Sequence, residues 1–365
     1  MRAVQKNRKL ALHVVATGSH LLPPARTVRE VKAAFPKALT VPMQRAGKTG
    51  RLNDAAATAR GIHGLTRVFA RIKPDWVVVL GDRIEAFAAA SAASIAGIAV
   101  CHIHGGDRAE GIADEAMRHA ITKLSHLHCA ATEQSRGRIV KMGERPEHVF
   151  NTGSPAIDGL DKIPVISRAA FKALGEPRAI VLAHPAGVSH DDNYLTSWTA
   201  SHCAIEVIGR KCMLHIEPNH DAGRESILEN LNYYFWGSNP FLSRRSHLPR
   251  KEFVGLLKRF RQKRYGVLTG NSSAGLIECA ALGVPAIDIG ARQHGRETPS
   301  NVLHIEVRKD LRTLDPLIMR QHVLGVYARA PQHPYGDGRA GPRIAALLAK
   351  LDPHDPALLR KRNAY

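Results

Sequence analysis

Ionisable residues gather where apolar runs of this chain end. Val77-Val78-Val79-Leu80 gives way to Gly81, Asp82 and Arg83, and Ala99-Val100-Cys101-His102-Ile103-His104 gives way to Gly105, Gly106 and Asp107. Carboxylates and imidazoles delivered together to one rim are the equipment of proton transfer. His102 and His104 share one face of a strand and, with Asp107, invite a metal reading. No H-E-x-x-H pair accompanies them, so no metal site is expected. A little further on, Asp114 and Glu115 fall in the first turn of a helix. There they either compensate the helix dipole or serve the site, with Arg118 and His119 each four residues on. His184, fixed between an apolar run and Pro185, is either a satisfied structural residue or a group for proton transfer or phosphate contact.

A second chemistry is written in Gly270-Asn271-Ser272-Ser273-Ala274-Gly275. Small residues between a strand and a helix let backbone N–H groups face an anion, and Ser272 and Ser273 add hydroxyl donors. Phosphate is the natural guest, although Gly-Lys-Ser/Thr of a Walker loop is missing. Glu278 lies far enough along the following helix to accept hydrogen bonds from the two ribose hydroxyls of a nucleotide, unless it is a plain surface glutamate. Arg292 and Arg296 fall in a charged loop where a guanidinium could neutralise a diphosphate.

The elements that must position these residues alternate between strand and helix with short links, the pattern of a doubly wound parallel sheet. Strands are predicted over 12–17, 77–80, 99–104, 129–132 and 149–152, and helices over 27–35, 53–72 (capped by Asn53 or Asp54), 85–96 and 113–127. In the second half, strands are predicted over 179–183, 212–216, 265–269 and 285–290, with helices over 273–282 and 341–351. Four-residue apolar runs with no polar alternation suit strands buried on both faces, and open α/β sheets hold ligands at the carboxyl ends of their strands. A breaker-rich stretch over 161–177 carries the domain boundary. The expected division is 1–163 and 164–340, with 341–365 packing back on the first domain.

At 365 residues the chain suits two domains. Its 52 Lys+Arg against 32 Asp+Glu give a formal charge of +20. Nucleic-acid binding is not expected, because no basic run is interleaved with aromatics. A generally basic surface, or a basic cleft that attracts an anionic small molecule, accommodates the excess. Five scattered cysteines without a C-x-x-C pair indicate neither a disulfide framework nor zinc. No run approaches a membrane span and no signal-peptide core opens the chain, so a soluble, cytoplasmic protein is expected.

Taken in order, several motifs resemble one family. They are Gly81-Asp82-Arg83, His102-Ile103-His104-Gly105-Gly106, Asp114-Glu115 with Arg118-His119-Ala120-Ile121-Thr122-Lys123, Gly153-Ser154-Pro155, His184-Pro185, Pro218-Asn219 with Asp221-Ala222-Gly223, Gly270 to Gly275, and Gly290 with Arg292-Gln293 and Gly295-Arg296-Glu297. The set is similar to that of the UDP-N-acetylglucosamine 2-epimerases, especially the hydrolysing branch of sialic-acid-type pathways. The resemblance implies a GT-B-like architecture of two Rossmann-like domains with an interdomain cleft, usually as a homodimer or homotetramer, and no cofactor.

It implies elimination of UDP across C1 and C2 of a UDP-amino sugar to a glucal, then hydration that releases N-acetylmannosamine. The alternatives are a non-hydrolysing 2-epimerase and a UDP-sugar-binding homologue without turnover. The catalytic positions implied are Asp82, His104, Asp107, Asp114, Glu115 and His184. UDP contacts are implied for Arg83, Asn219, Asn271, Ser272, Ser273, Gly275, Glu278, Arg292 and Arg296. Well-studied relatives carry glutamate in place of His104, so the base is His104 itself, Asp107 or Glu110. Family members also open with a strand ending in Gly-Thr-Arg. Its counterpart is not found before Leu12, and the expectation is an N-terminal sheet lacking an internal strand.

Overall fold

The structure is a computed structural model that describes all residues except 24–25, 110–113, 187–188, 210, 235–240, 308, 311–314 and 365, and leaves aside the side chains of Asp114 and Tyr234. The chain divides into two compact units. The first comprises Met1–Arg108, Ala113–Asp158 and Pro334–Tyr365, and the second Ala109–Ile112 and Gly159–His333.

In the first unit, β1 (Val15–Thr17) and β2 (Leu39–Val41) pair in parallel as a sheet of their own. β3 (Trp76–Leu80), β4 (Ala99–Ile103), β5 (Leu127–Ala130) and β6 (Val149–Asn151) form a second parallel sheet in that order. β4 and β5 are buried at every position, as continuous apolar runs require. One face is covered by the helices Arg51–Ile72 and Ile84–Ile95, whose Leu65, Phe69, Ala88 and Ala92 pack with Val77 and Val79. Alanines allow the second of these helices to approach the sheet closely. Opposite, the helix Ala340–Lys350 sets Ile344 and Leu348 against Cys101, Ile103, Leu127 and Cys129. Asp158 holds the start of that helix by accepting from the backbone N–H groups of Ala340 (2.9 Å) and Gly341 (2.6 Å).

β3 differs from its neighbours. Among the described residues it pairs with β4 alone, and Val78 and Leu80 are 44% and 56% exposed. The expectation here is a sheet lacking an internal strand, and the described strands fall into two separate sheets. The helix expected from Asn53 starts earlier, at Arg51 after Gly50, so neither Asn53 nor Asp54 caps it. The strand expected over 129–132 ends at Ala130, because Thr132 instead caps a helix over Glu133–Lys141 by accepting from the Ser135 N–H.

The second unit is one six-stranded parallel sheet in the order β12-β11-β10-β7-β8-β9. Its strands are β7 (Ala179–Leu182), β8 (Met213–Ile216), β9 (Leu242–Arg245), β10 (Val267–Gly270), β11 (Ala286–Ile289) and β12 (Val302–Ile305). The helices His190–Ile208 and Pro316–Tyr327 cover one face through Ala200, Cys203, Met319 and Val323. Arg168–Ala173 and Arg250–Lys263 cover the other through Phe171, Leu256, Leu257 and Phe260. The chain runs outward from β7 to β9, returns to β10 and runs outward the other way. The switch between β7 and β10 opens a crevice at their carboxyl ends. The helix expected over 273–282 is broken at Ile277 (φ −103°, ψ −70°) into Ser273–Leu276 and Glu278–Leu282. All five cysteines are free, and among the described residues no helix is long and apolar enough to cross a membrane.

The turn after β4 illustrates how tightly the site is packed. Gly106 adopts φ +74°, and a Cβ there would lie 2.2 Å from the Ser135 carbonyl oxygen. Gly97 has nearly the same φ, +71°, but open space around it. Gly97→Ala is expected to cost about 1–2 kcal/mol, the left-handed penalty alone. Gly106→Ala should cost at least about 1–3 kcal/mol more through the forced backbone shift. Urea unfolding midpoints of the two variants measure the difference, and equal losses would refute the steric account.

Candidate functional site

In the first unit the site grows from the ends of β3 and β4. His102, still inside β4, is fully buried, with Nε2 2.9 Å from the Gly81 carbonyl and Nδ1 3.1 Å from Thr122 Oγ1. A carbonyl can only accept, so the proton sits on Nε2 and Thr122 donates to Nδ1. Burial lowers the His102 pKa to about 3, and the ring is a neutral internal strut. His104, two residues on, has a different fate. Its backbone turns left-handed, with φ +64°, at the strand's end. Its Nδ1 lies 2.7 Å from Asp107 Oδ2 and its Nε2 2.9 Å from Ser154 Oγ. Thus the metal pairing of His102 with His104 that their spacing invites does not form.

Asp107 is 2% exposed, and its other oxygen accepts from Ser135 Oγ at 2.8 Å. The guanidinium of Arg118, equally buried, donates to the Asp107 carbonyl (2.8 Å) and to the Asp82 carboxylate. The spacing had pointed Arg118 toward Asp114, whose side chain lies outside the described residues, as does Glu110. Glu115 meets His119 Nε2 and Arg108 Nε, both at 3.4 Å, as the four-residue spacing to His119 predicts. Arg83 belongs to this unit as well. Its Nε meets Glu85 Oε2 at 3.3 Å, while Glu85 Oε1 accepts from the Ser19 N–H at 3.1 Å.

In the second unit the candidates collect at the β7/β10 switch. The Asn271 amide bridges the two strand ends: Oδ1 accepts from the His184 N–H (2.7 Å) and Nδ2 donates to the His184 carbonyl (2.8 Å). Asn271 is fully buried and supports the site from beneath. Its own carbonyl accepts from Arg292 Nη1 (3.1 Å) and Gln293 Nε2 (2.7 Å), which ties the loop after β11 to the loop after β10. His184 Nδ1 accepts from the Asn219 N–H at 3.2 Å, so Nε2 carries the proton of a neutral ring. The Asn219 side chain donates in turn to Asp221.

Ser272 Oγ accepts from the Ala274 N–H at 3.4 Å, and a Cβ on Gly275 would lie 3.2 Å from the Ala286 Cβ and 3.5 Å from Leu268. Ser273 begins the short helical turn that follows. Glu278 Oε1 takes Arg250 Nη1 at 3.1 Å, a cation that the sequence had not pointed to. The backbone N–H of Arg296 closes a turn onto the Gln293 carbonyl at 3.2 Å.

A profile of the UDP-N-acetylglucosamine 2-epimerase family matches residues 2–349 of this chain. The chain belongs to this family. It is 32% identical to a Legionella pneumophila protein named UDP-N,N'-diacetylbacillosamine 2-epimerase (hydrolyzing), over all of this chain and 94% of that one. A Neisseria meningitidis serogroup B UDP-N-acetylglucosamine 2-epimerase is 33% identical over 83% of this chain and 78% of its own length. Among solved structures, a Neisseria meningitidis UDP-GlcNAc 2-epimerase bound to UDP-GlcNAc matches with TM-score 0.72 at 20% identity, over 95% of this chain and 94% of that one. The Methanocaldococcus jannaschii enzyme in complex with UDP-GlcNAc and UDP matches with TM-score 0.74 at 20% identity and the same coverage. These structures establish the GT-B-like class, with two Rossmann-like units.

Within this family frame, Ser135, Ser154, Arg118 and Gln293 hold the 2-epimerase candidate residues in place without having been singled out as site residues. Arg118, Ser154 and Gln293 sit inside the family motifs, which was their signal. Ser135 carried none, lying in a helix that the sequence pattern did not reveal.

Acid should unfold the protein in a defined way. His102 and His215 are buried and keep their pKa values near 3, so the unfolded chain takes up protons below about pH 6.5 that the folded chain refuses. Glu144 acts in the same direction: burial disfavours its charge, but His128, Lys123 and Lys361 outweigh that and hold its pKa near 2. Stability is expected to fall as pH drops from 6.5 to 4, by about 1.4 kcal/mol per pH unit for each such histidine. Urea titrations across this range check it, and His102→Gln should flatten the slope.

Proposed function

We propose that this chain is a hydrolysing 2-epimerase of a UDP-amino sugar, releasing UDP and the free 2-epimeric sugar. Family membership supports the reaction class, and the name of the Legionella relative supports the hydrolysing outcome. The observation that carries the reading is the His104–Asp107 pair. Asp107 bound at Nδ1 holds the imidazole in the tautomer whose basic nitrogen is Nε2, the atom now facing Ser154 Oγ. An orienting carboxylate of this kind also stabilises the imidazolium formed when the ring takes a proton.

In the proposed reaction His104 Nε2 removes the C2 proton. The C1–O bond breaks, a C1=C2 double bond forms, and the bonding electrons leave with the diphosphate of UDP. Water then adds its hydroxyl to C1 while a proton returns to C2 on the opposite face, giving the epimer. Asp82, fixed by Arg118, sets a carboxylate beside the reacting ring, and Glu115 adds a second; the catalytic role implied for Asp114 falls on a side chain outside the described residues. His184, protonated at Nε2, donates to the departing diphosphate. Ser272, Ser273 and the backbone through Gly275 take the phosphates, with Arg292 and Arg296 neutralising charge and Asn219 supporting His184. Glu278, oriented by Arg250, accepts from the ribose hydroxyls, and Arg83 is a further candidate for a phosphate contact.

Incubation with UDP-N-acetylglucosamine and with UDP-N,N'-diacetylbacillosamine in D2O tests the reading by NMR. One of the two is expected to yield UDP and a free sugar with deuterium at C2. Accumulation of a UDP-linked epimer, or of neither product, would overturn it. His104→Asn, chosen because asparagine tolerates a left-handed backbone, should lower kcat by about 100- to 10,000-fold. UDP affinity by calorimetry should change little, whereas a comparable loss of both would point to a structural role.

A further inference from the structure

We propose that His294, His304 and Glu306 form a binding site for a divalent transition metal of the Zn2+ class at the carboxyl edge of β11 and β12. Glu306 lies just past the end of β12, two residues after His304, and its Oε1 comes within 3.1 Å of His304 Nε2. His294 reaches them from the loop after β11. The three donor atoms make a compact triangle. His294 Nε2 to His304 Nε2 is 3.1 Å, His304 Nε2 to Glu306 Oε1 is 3.1 Å, and His294 Nε2 to Glu306 Oε1 is 3.7 Å.

These spacings match a ligand set. Bonds of about 2.05 Å arranged tetrahedrally around zinc place neighbouring ligand atoms about 3.3 Å apart, and the three edges scatter around that value. Two imidazoles with one carboxylate select transition ions over Mg2+ or Ca2+, which prefer all-oxygen surroundings.

A second observation points the same way. His304 and Asp288 are register partners across β12 and β11, and His304 Nδ1 lies 3.1 Å from Asp288 Oδ2. Asp288 is 6% exposed, and its other oxygen has no hydrogen-bond partner. A buried carboxylate on Nδ1 fixes the ring so that Nε2 aims at the cluster, the outer-shell arrangement that supports a metal-bound histidine. Three protein ligands leave one position to water, and the partial exposure of all three gives the ion an entry path. A bound ion would pin the 291–297 loop, which carries Arg292 and Arg296, to the end of β12. This site needs none of the epimerase chemistry proposed above.

Calorimetric titration of the metal-stripped full chain with ZnCl2 tests the site, with the visible absorption of Co2+ reporting coordination geometry. One equivalent with micromolar or tighter affinity and a four-coordinate Co2+ spectrum are expected. His304→Ala and His294→Gln should each weaken Zn2+ binding at least tenfold, and Asp288→Asn by about 10- to 100-fold. His190→Ala, at another histidine beside acidic groups, should leave binding unchanged. Absence of Zn2+ binding, or less than a tenfold loss in both folded histidine variants, would reduce the cluster to hydrogen bonds only and overturn the proposal.

Discussion

A guanidinium removed from water must have its donors met, or the buried charge costs several kcal/mol. Arg118 is 2% exposed, and this requirement organises the first unit's rim. Its Nη2 reaches the Asp82 carboxylate beyond β3 and its Nη1 the Asp107 carbonyl in the turn after β4. One cation on a helix therefore fixes two successive strand ends relative to each other. Asp107 then passes the constraint on, through Ser135 Oγ to the next helix and through His104 to Ser154 beyond β6. Groups held in this way need little rearrangement when charge moves, the condition under which fixed dipoles and charges assist a reaction most.

The backbone records the same pressure. His104 takes φ +64°, a conformation that costs a non-glycine residue about 1–3 kcal/mol and persists only where its surroundings impose it. Those surroundings are explicit. A Cβ on Gly105 would press on His102 and Thr122, and one on Gly106 would strike the Ser135 carbonyl. The second unit solves a similar problem without strain. There the Asn271 amide replaces the missing ladder bonds where β7 and β10 diverge, and the loop after β11 leans on its carbonyl through Arg292 and Gln293.

What could be read from the sequence follows from burial. Ala99–His104, Ala179–Ala183 and Val267–Gly270 announce themselves because central strands of parallel sheets are apolar at most positions; Val77–Leu80 is as apolar although it lies at the edge of its sheet. β9 is Leu-Ser-Arg-Arg and only half-buried, an edge strand whose side chains satisfy water as well as the sheet, so no pattern marks it. The break at Ile277 leaves no trace either, since nothing in Gly275-Leu276-Ile277-Glu278 forbids a continuous helix. The candidate residues were legible by position at strand ends, but their partners were not. The links from Arg118 to Asp82 and from Glu278 to Arg250 join residues far apart in the chain, and spacing rules reach only one or two helical turns.

His102 in β4 and His104 just past its end decide which imidazole at this rim can move a proton. His102 is neutral, yet both its nitrogens are engaged with internal groups, Gly81 and Thr122, at a fully buried position. Protonating it would place an unpaired cation in the sheet, which its pKa near 3 expresses. His104 has a carboxylate on Nδ1, so a proton gained at Nε2 would create a paired charge instead of an isolated one. Its Nε2 partner is a serine hydroxyl, which can act as donor or acceptor by rotating. Identical spacing along one strand thus produces a structural strut and a candidate base. The difference lies in a single left-handed residue that turns the second ring out of the sheet toward Asp107.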